Sequence, residues 1–386
     1  MATQVASPSR SRAASRRQRR PQRPPPPRAR RPVETRVTEI WRMGANPVSV
    51  TETGEIARRL EADGWDGFAV AEAHGILPDP YAVLALAAFA TTTLKLGTAV
   101  AVPIRHPILA AGAMATIQAV SGGRARFGVG RGDSAVKLLH QAPMKVAEFE
   151  LYLSRLQGYL KREDVDIDGN LSSMARMYAV DPGLDVARPP IDVAASGPRM
   201  IDLAARLADG VVISVGADLD RLRNSIGQVR AAGRELELGC YLQVAVVDEK
   251  DQSGREAIRG IALTHARFSG FEARPARADV SVAEHAEYRQ AVETMEHVWR
   301  SARGGVDAKG ERPGEVNLYP DEAASAELID RWAIVGSGEE CAERLRAIID
   351  LGFDRVMLGT HTAGVDVAER NTARVAREVL PLLSRR

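Results

Sequence analysis

The feature that most constrains this fold is a regular alternation of short β-rich runs with longer amphipathic segments, which begins near residue 37. Strict alternation of strand and helix is typical of a parallel sheet flanked by helices. Strands are predicted at residues 37–41, 67–71, 94–99, 125–129, 191–194, 211–215, 241–247 and 355–359. Eight such units favour a closed (β/α)8 barrel over an open sheet, and 386 residues suffice for one barrel with an insertion.

The segments between the strands carry helical periodicity and helix punctuation. Helices are predicted at residues 54–63, 81–91, 108–120, 146–160, 198–208 and 339–351. Gly64 and Gly352 follow two of them, where glycine commonly ends a helix, and Pro107 stands where a first helical turn begins. Residues 262–330 interrupt the rhythm with many charges and few strand-like runs. This pattern predicts an insertion before the last barrel unit that serves as a lid.

Residues 1–34 are dominated by Arg, Pro, Ser and Ala, and they predict a disordered tail because they offer almost nothing to bury. Residues 1–31 hold ten arginines and no acid, so the remaining chain is net negative although the total is +2. An over-long start or a tail without a function is the favoured interpretation, and contact of the tail with nucleic acid or anionic lipid is the alternative. No nucleic acid is expected on the acidic folded domain. The pair Arg16 and Arg17 lacks the apolar region of an export signal.

The remaining composition points to a soluble cytoplasmic protein without a structural metal. No apolar run is long enough to cross a bilayer, so no membrane association is expected. The chain has two cysteines, Cys240 and Cys341, which do not form a CxxC pair or lie near metal-spaced histidines. A disulfide framework or a zinc site is therefore not expected.

A glycine-rich segment, SGGRARFGVGRGDSA at residues 121–135, spans the end of the fourth predicted strand. Gly128, Gly130 and Gly132 let backbone approach a ligand or adopt positive φ. A Rossmann GxGxxG would need glycine at Asp133 and would follow the first strand, so classical dinucleotide binding is disfavoured. The Walker pattern is absent as well.

A second glycine loop follows the fifth predicted strand and precedes a helix. It consists of Ala195, Ser196, Gly197, Pro198 and Arg199. Free backbone N–H groups and the dipole at a helix N-terminus favour an anion, and an arginine close by adds charge. The loop is a candidate phosphate cradle, with an ordinary strand-to-helix turn as the alternative.

An acid and a histidine, Glu72 and His74, follow the second predicted strand and could supply a proton donor and its partner. A structural role for His74 is the alternative. His106, which precedes Pro107, is expected to brace the turn into the third helix.

In their shared order these segments resemble the luciferase-like monooxygenase superfamily, specifically its branch similar to methylenetetrahydromethanopterin reductase. The matching landmarks are residues 96–100, 105–107, 121–124, 128–134, 195–199, 209–210, 334–337, 343–345 and 352–354. The resemblance runs from about residue 37 to the C-terminus. It implies a TIM barrel with a flavin or deazaflavin ring at the C-terminal ends of the strands.

The resemblance also implies site residues. A non-proline cis peptide at Ala99–Val100 would support the ring, Gly130 would lie near it, and the phosphate would bind at Ala195, Ser196, Gly197, Pro198 and Arg199. The sequence departs from the family at strand two, where many deazaflavin enzymes have adjacent acid and histidine but Ala73 separates Glu72 from His74. Either residue therefore stays a candidate proton donor.

Three functions follow from the resemblance. The leading hypothesis is an oxidoreductase that uses coenzyme F-420 to pass hydride to or from a small organic substrate, with the chain assembled as a homodimer. A monooxygenase that uses reduced FMN and oxygen is the close alternative. A non-catalytic flavin-binding protein is the third, because the acid–histidine pair is broken.

Overall fold

The computed structural model describes residues 38–44, 50–73, 77–132, 136, 139, 141–248, 330–360 and 365–383. The described strands are β1 Glu39–Gly44, β2 Gly67–Val70, β3 Lys95–Thr98, β4 Ala125–Val129, β5 Val165–Ile167, β6 Asn170–Ser172, β7 Ile191–Ala195, β8 Gly210–Ile213, β9 Glu237–Val246, β10 Ala333–Gly336 and β11 Arg355–Gly359. Three of the sequence-based predictions lie outside the described residues. They are the disordered tail at residues 1–34, the candidate proton donor His74, and residues 262–329 of the lid.

Eight of these strands form a closed parallel barrel in the order β9, β11, β1, β2, β3, β4, β7 and β8. The ladder closes because β8 also pairs with β9. The register around β1 places Trp41 opposite Met357 on one side and opposite Gly67 on the other. The predicted (β/α)8 TIM barrel is therefore confirmed.

Helices connect the strands and cover the outside of the barrel. They are α1 Thr53–Ala62, α2 Pro80–Ala90, α3 Pro107–Val120, α4 Val146–Leu160, α5 Ala175–Val180, α6 Pro198–Leu207, α7 Leu219–Ala231, α8 Gly338–Ile349, α9 Val365–Arg374 and α10 Leu380–Leu383. A π-helical turn, Val375–Val379, joins the last two. Gly64 and Gly352 have φ of 86° and 96°, which explains glycine at these two helix ends. Among the described helices, none is long and apolar enough to cross a membrane.

The inside of the barrel is packed with side chains rather than open. Trp41, Ala69, Val212, Tyr241 and Met357 come from five strands and form one buried cluster. Gly67, opposite Trp41, must lack a side chain, because a Cβ there would lie 2.3 Å from the indole ring. The large apolar cluster between strands and helices forms the second layer of the core.

A buried charged network occupies the barrel near the N-terminal ends of its strands. Asp192 is 1% exposed and accepts hydrogen bonds from Arg126 at 2.9 and 2.7 Å and from Arg355 at 2.7 Å. Burial alone raises the pKa of Asp192, but the charges and hydrogen bonds of both arginines outweigh it and lower that pKa. Glu237 contacts both arginines from a more exposed position.

Some element boundaries differ from the sequence-based expectation. Strand β1 runs to Gly44 because residues 41–44 pair with β2, and β9 begins at Glu237 because its first residues pair with β8. The β5–β6 hairpin and the short strand β10, which pairs with β9, were not predicted. The three-residue strands β5 and β6 are too short for a periodic signal.

Candidate functional site

The described candidate residues all follow or end four consecutive strands of the barrel. Glu72 follows β2, the Ala99–Val100 pair follows β3, Gly130 follows β4, and the 195–199 loop follows β7. Because these strands are parallel neighbours, their C-terminal ends lie side by side at one rim of the barrel. We call this rim the mouth. In (β/α)8 enzymes the loops at this end carry the active site.

The backbone after β3 has the shape that the resemblance predicted. The peptide bond between Ala99 and Val100 is cis, which confirms the expected non-proline cis peptide. Gly130 lies against it, since a Cβ on this glycine would be 2.9 Å from Val100 Cγ2. The absence of a side chain at residue 130 thus leaves room for Val100.

The mouth is accessible, whereas the barrel below it is closed. Half-buried residues at or just after the strand ends are Met43, Ala71, Ala73, Ala99, Val100, Ala194, Ser196 and Ser214. Beneath them, Trp41 and Ala69 have no exposed surface. Most of these mouth residues have small side chains, so the site offers space and backbone groups.

Glu72 faces away from this space. Ala71 and Ala73 are half-buried, whereas Glu72 between them is 3% exposed. Its carboxylate accepts hydrogen bonds from the backbone N–H of Val102 at 2.7 Å and from Arg105 Nε at 3.1 Å. The proton-donor role that the sequence assigned to Glu72 stays a prediction, and this geometry favours a different role.

The surroundings of Glu72 are apolar on one side and charged on the other. Burial, reinforced by the negative charge of Glu72, raises the pKa of the hydroxyls of Tyr81 and Tyr152, so both stay protonated. Burial opposes the charge of Arg105, but its hydrogen bonds to Glu72 and Asp79 outweigh this and raise its pKa. Arg105 also lies 4.8 Å from the centre of the Tyr81 ring, which adds a cation–π contact to its hydrogen bonds.

The predicted phosphate cradle has the expected local structure. Ala195 ends β7, Gly197 is the N-cap of α6 without a side-chain cap, and Pro198 is the first helical residue. Ser196 and Gly197 are half-buried, and a Cβ on Gly197 would meet nothing within 4 Å. The backbone N–H groups here therefore adjoin open space.

Three acids in the described part of the mouth are paired with arginines. Asp218 is paired with Arg331, and Asp248 with Arg374, as Glu72 is with Arg105. Arg199 is exposed, and within the described part of the chain it has neither a hydrogen bond nor an ion pair. An unpaired cation beside a helix N-terminus suits a phosphate.

The sequence indicates the residues of the rim but not the contacts behind it. Arg105 belongs to a matching landmark and has no predicted role, and no role is predicted for Val102. His106 is the N-cap of α3, and its Nδ1 accepts from the N–H of Ile108 at 3.4 Å, which confirms the expected bracing role. Among the described residues, no group of three or more acidic, His or Cys side chains is arranged to hold a metal ion.

With the barrel and its mouth established, comparison with known proteins identifies the family. A model of the luciferase-like monooxygenase family matches residues 35–355. The chain belongs to this family. The match covers the barrel from before β1 to the start of β11.

Two curated relatives use coenzyme F-420 or belong to the branch that the sequence resembles. The chain is 23% identical to 5,10-methylenetetrahydromethanopterin reductase of Methanolobus tindarius over 322 residues, which cover 81% of this chain and 90% of the relative. It is 26% identical to F-420-dependent glucose-6-phosphate dehydrogenase of Beutenbergia cavernae over 316 residues, covering 78% and 82%.

A solved structure supports the fold. The coenzyme F-420-dependent tetrahydromethanopterin reductase from Methanopyrus kandleri superposes with a TM-score of 0.65 at 18% identity, covering 90% of this chain and 99% of that chain. The relatives are oxidoreductases that act on small molecules, and the chain is an oxidoreductase of the luciferase-like family. The third hypothesis, a non-catalytic flavin-binding protein, is therefore set aside.

Proposed function

We propose that this protein is an F-420-dependent oxidoreductase that transfers hydride to or from a small organic substrate. The observation that carries the proposal is the shared position of the described candidate residues at the ends of four consecutive barrel strands. The two curated relatives named above, which act on chemically unrelated substrates, support the chemistry but leave the substrate open.

The residues present fit such a cofactor. Ala99, Val100 and Gly130 would support its flat ring, because they offer backbone and small side chains at an accessible rim. Ser196, Gly197 and Arg199 would hold its phosphate through N–H groups and a free guanidinium. When bound, the deazaflavin supplies a two-electron hydride carrier.

The chain's own contribution is then orientation and electrostatics. The buried cluster around Trp41 closes the barrel beneath the mouth and excludes water from that side. In the described part of the rim, Glu72, Asp218 and Asp248 are paired with arginines, and Arg199 offers a positive charge to an anionic cofactor. Fixed groups of this kind position a cofactor without reorganisation during the reaction.

A monooxygenase that uses reduced FMN and oxygen is the second candidate. The family description itself names monooxygenases, and FMN also carries a phosphate that the 195–199 loop could bind. The two candidates differ in their need for oxygen, because a deazaflavin has carbon in place of the flavin nitrogen at position 5.

Cofactor binding is the decisive first experiment. The purified full-length protein is titrated separately with F-420 and with FMN, and bound cofactor is measured by fluorescence and by the absorbance retained after gel filtration. F-420 should bind, and its visible absorbance should decrease anaerobically with some member of a panel of alcohols, sugar phosphates and reduced pterins. Binding of FMN alone, with turnover only in oxygen, would replace the proposal with the monooxygenase.

A further inference from the structure

The segment that follows β3 is tied to the end of β2 at two points. The backbone N–H of Glu72 donates to Val100 O at 3.1 Å, and the Glu72 carboxylate accepts from Val102 N–H at 2.7 Å. The two contacts lie on either side of Ala101. Together they fix the backbone immediately after the cis peptide Ala99–Val100.

Strand β4 holds the same segment from the opposite side. Ala101 N–H donates to Gly128 O at 2.8 Å, and Gly130 N–H donates to Ala101 O at 3.0 Å. A Cβ on Gly128 would lie 2.0 Å from Thr98 O, so glycine is required for this close approach. Residues 100–102, which follow the cis peptide, are therefore held between β4 on one side and the backbone and side chain of Glu72 on the other.

Glu72 is suited to holding backbone and poorly placed to exchange a proton with a ligand. Its side chain has no exposed surface, and its two oxygens accept from Val102 and Arg105 respectively. A buried carboxylate is costly unless it is paired and hydrogen-bonded, and both conditions are met here. The carboxylate therefore serves to hold protein groups in place.

We propose that Glu72 is a positioning residue, which sets the place of the Ala99–Val100 peptide at the mouth and thereby tunes cofactor binding. The inference rests on the proposed function, since it concerns the same cofactor site. It replaces proton donation as the expected role of Glu72.

The Glu72→Gln variant separates the two roles. Each of the two carboxylate oxygens of Glu72 accepts one of these bonds, and glutamine replaces one oxygen with a donor nitrogen, so it cannot present an acceptor to both Val102 and Arg105. The backbone N–H of Val102 or the guanidinium of Arg105 then faces a donor. The segment after β3 should loosen while the side chain keeps its size.

Glu61 is a matched control, because it holds the backbone just before β3 as Glu72 holds the backbone just after it. Glu61 Oε1 accepts from the N–H groups of Thr92, Thr93 and Leu94 at 2.9, 2.6 and 2.9 Å, just before β3 begins. Glu61→Gln therefore removes a carboxylate that also holds loop backbone, but far from the mouth. Any effect specific to the mouth should appear in Glu72→Gln alone.

The first measurement is amide hydrogen exchange in cofactor-free protein. In Glu72→Gln, exchange in a peptide covering residues 99–105 should accelerate by about tenfold or more, because local opening becomes easier. In Glu61→Gln exchange at residues 99–105 should stay as in the wild type, because the hydrogen bonds to Glu61 come from residues 92–94. Unchanged exchange at residues 99–105 in Glu72→Gln would overturn the proposal, whether or not the protein binds F-420.

The second measurement distinguishes positioning from proton donation. Cofactor affinity should fall by about tenfold in Glu72→Gln and stay unchanged in Glu61→Gln, while the pH dependence of kcat keeps its shape. If Glu72 were the proton donor, Glu72→Gln would instead have a kcat lower by about 10²–10⁴, an unchanged cofactor affinity and a pH profile without one limb. That result would also overturn the proposal.

A failure of the proposed function is separately visible, because wild-type protein would then not bind F-420, while the exchange experiment in cofactor-free protein still decides the role of Glu72. If Glu72→Gln does not fold, Glu72→Asp serves instead. It keeps the charge opposite Arg105 but withdraws the carboxylate from Val102, so exchange at residues 99–105 should again accelerate.

Discussion

Arg199 provides the sharpest test of the candidate phosphate site. This arginine is exposed in the first turn of α6 and has no partner within the described residues, so Arg199→Ala removes little from the free protein. A hydrogen bond to a charged group contributes about 1.5–3 kcal/mol, and solvent screening at an exposed site lowers this to about 1–2 kcal/mol. The dissociation constant of the cofactor should rise by about 5- to 30-fold.

Gly197→Val tests the same site through space rather than charge. The backbone at Gly197 has φ of −102° and ψ of 155°, which valine adopts readily, and a Cβ there meets no atom within 4 Å. The variant should fold with a loss of about 1 kcal/mol or less from the weaker N-cap. Its side chain would occupy the space that a phosphate needs, so binding should weaken by about tenfold or more.

Fluorescence titration of F-420 at low and high salt measures both variants. The effect of Arg199→Ala should shrink as salt screens the charge, whereas that of Gly197→Val should persist. Arg206→Ala is the matched control, because Arg206 is exposed near the other end of α6 and pairs with Glu150. Unchanged dissociation constants in both Arg199→Ala and Gly197→Val would refute the 195–199 loop as the phosphate site.

Three further predictions concern stability, assembly and the tail. Asp192→Asn should lower the free energy of unfolding by about 3 kcal/mol in denaturant titrations, because Arg126 and Arg355 lose their buried partner. Glu237 remains beside both arginines in this variant. Asp220→Asn on the surface is the control and should change the free energy of unfolding by about 0.5 kcal/mol or less. Since the pKa of Asp192 is lowered on folding, its contribution is complete above an unfolded pKa of about 3.9 and is lost as the pH falls through the folded value. Wild-type protein should therefore lose more stability in acid than Asp192→Asn, and parallel pH curves would contradict the assignment. The predicted homodimer should depend on apolar side chains such as Phe89, which is 80% exposed on α2, so Phe89→Glu should lower the mass measured by light scattering; a wild-type monomer would exclude the dimer. Deleting residues 1–34 should leave the melting temperature and cofactor affinity unchanged, because this segment has few apolar side chains with which to dock, and a decrease of several degrees would show that it packs on the barrel.

The barrel could be predicted from the sequence because its signal is local and repeated. Each strand is a short apolar run, each helix has its own periodicity, and the order of the two defines a parallel sheet. The glycines at 64 and 352 marked helix ends for a backbone reason that the φ angles bear out. The same locality explains the misses, since the three-residue strands β5 and β6 carry no periodic pattern.

The site was only partly predictable because its contacts join distant segments. Nothing in the composition of Ala99 and Val100 marks a cis bond, and only the family resemblance indicated it. The partners of Glu72 lie about thirty residues further along the chain, at Val102 and Arg105, and become neighbours only when β2 pairs with β3. In the sequence, Glu72 and His74 resemble a catalytic pair, whereas the fold buries the side chain of Glu72.

The separation of Glu72 from His74 has a chemical consequence for the proposed reaction. Reduction of a carbonyl or imine delivers hydride to carbon and requires a proton on the oxygen or nitrogen. Ala73 is half-buried at the mouth but carries only a methyl group, and Glu72 beside it is buried with both oxygens engaged. If Glu72 has the positioning role proposed above, the proton must come from another group, and the assignment of His74 to that role stays a prediction. If His74 is the donor, His74→Ala should lower kcat by about 10²–10⁴ with little change in cofactor affinity. Glu72→Gln should instead lower cofactor affinity with little change in kcat. The two variants measured side by side therefore test the proton source and the positioning residue independently.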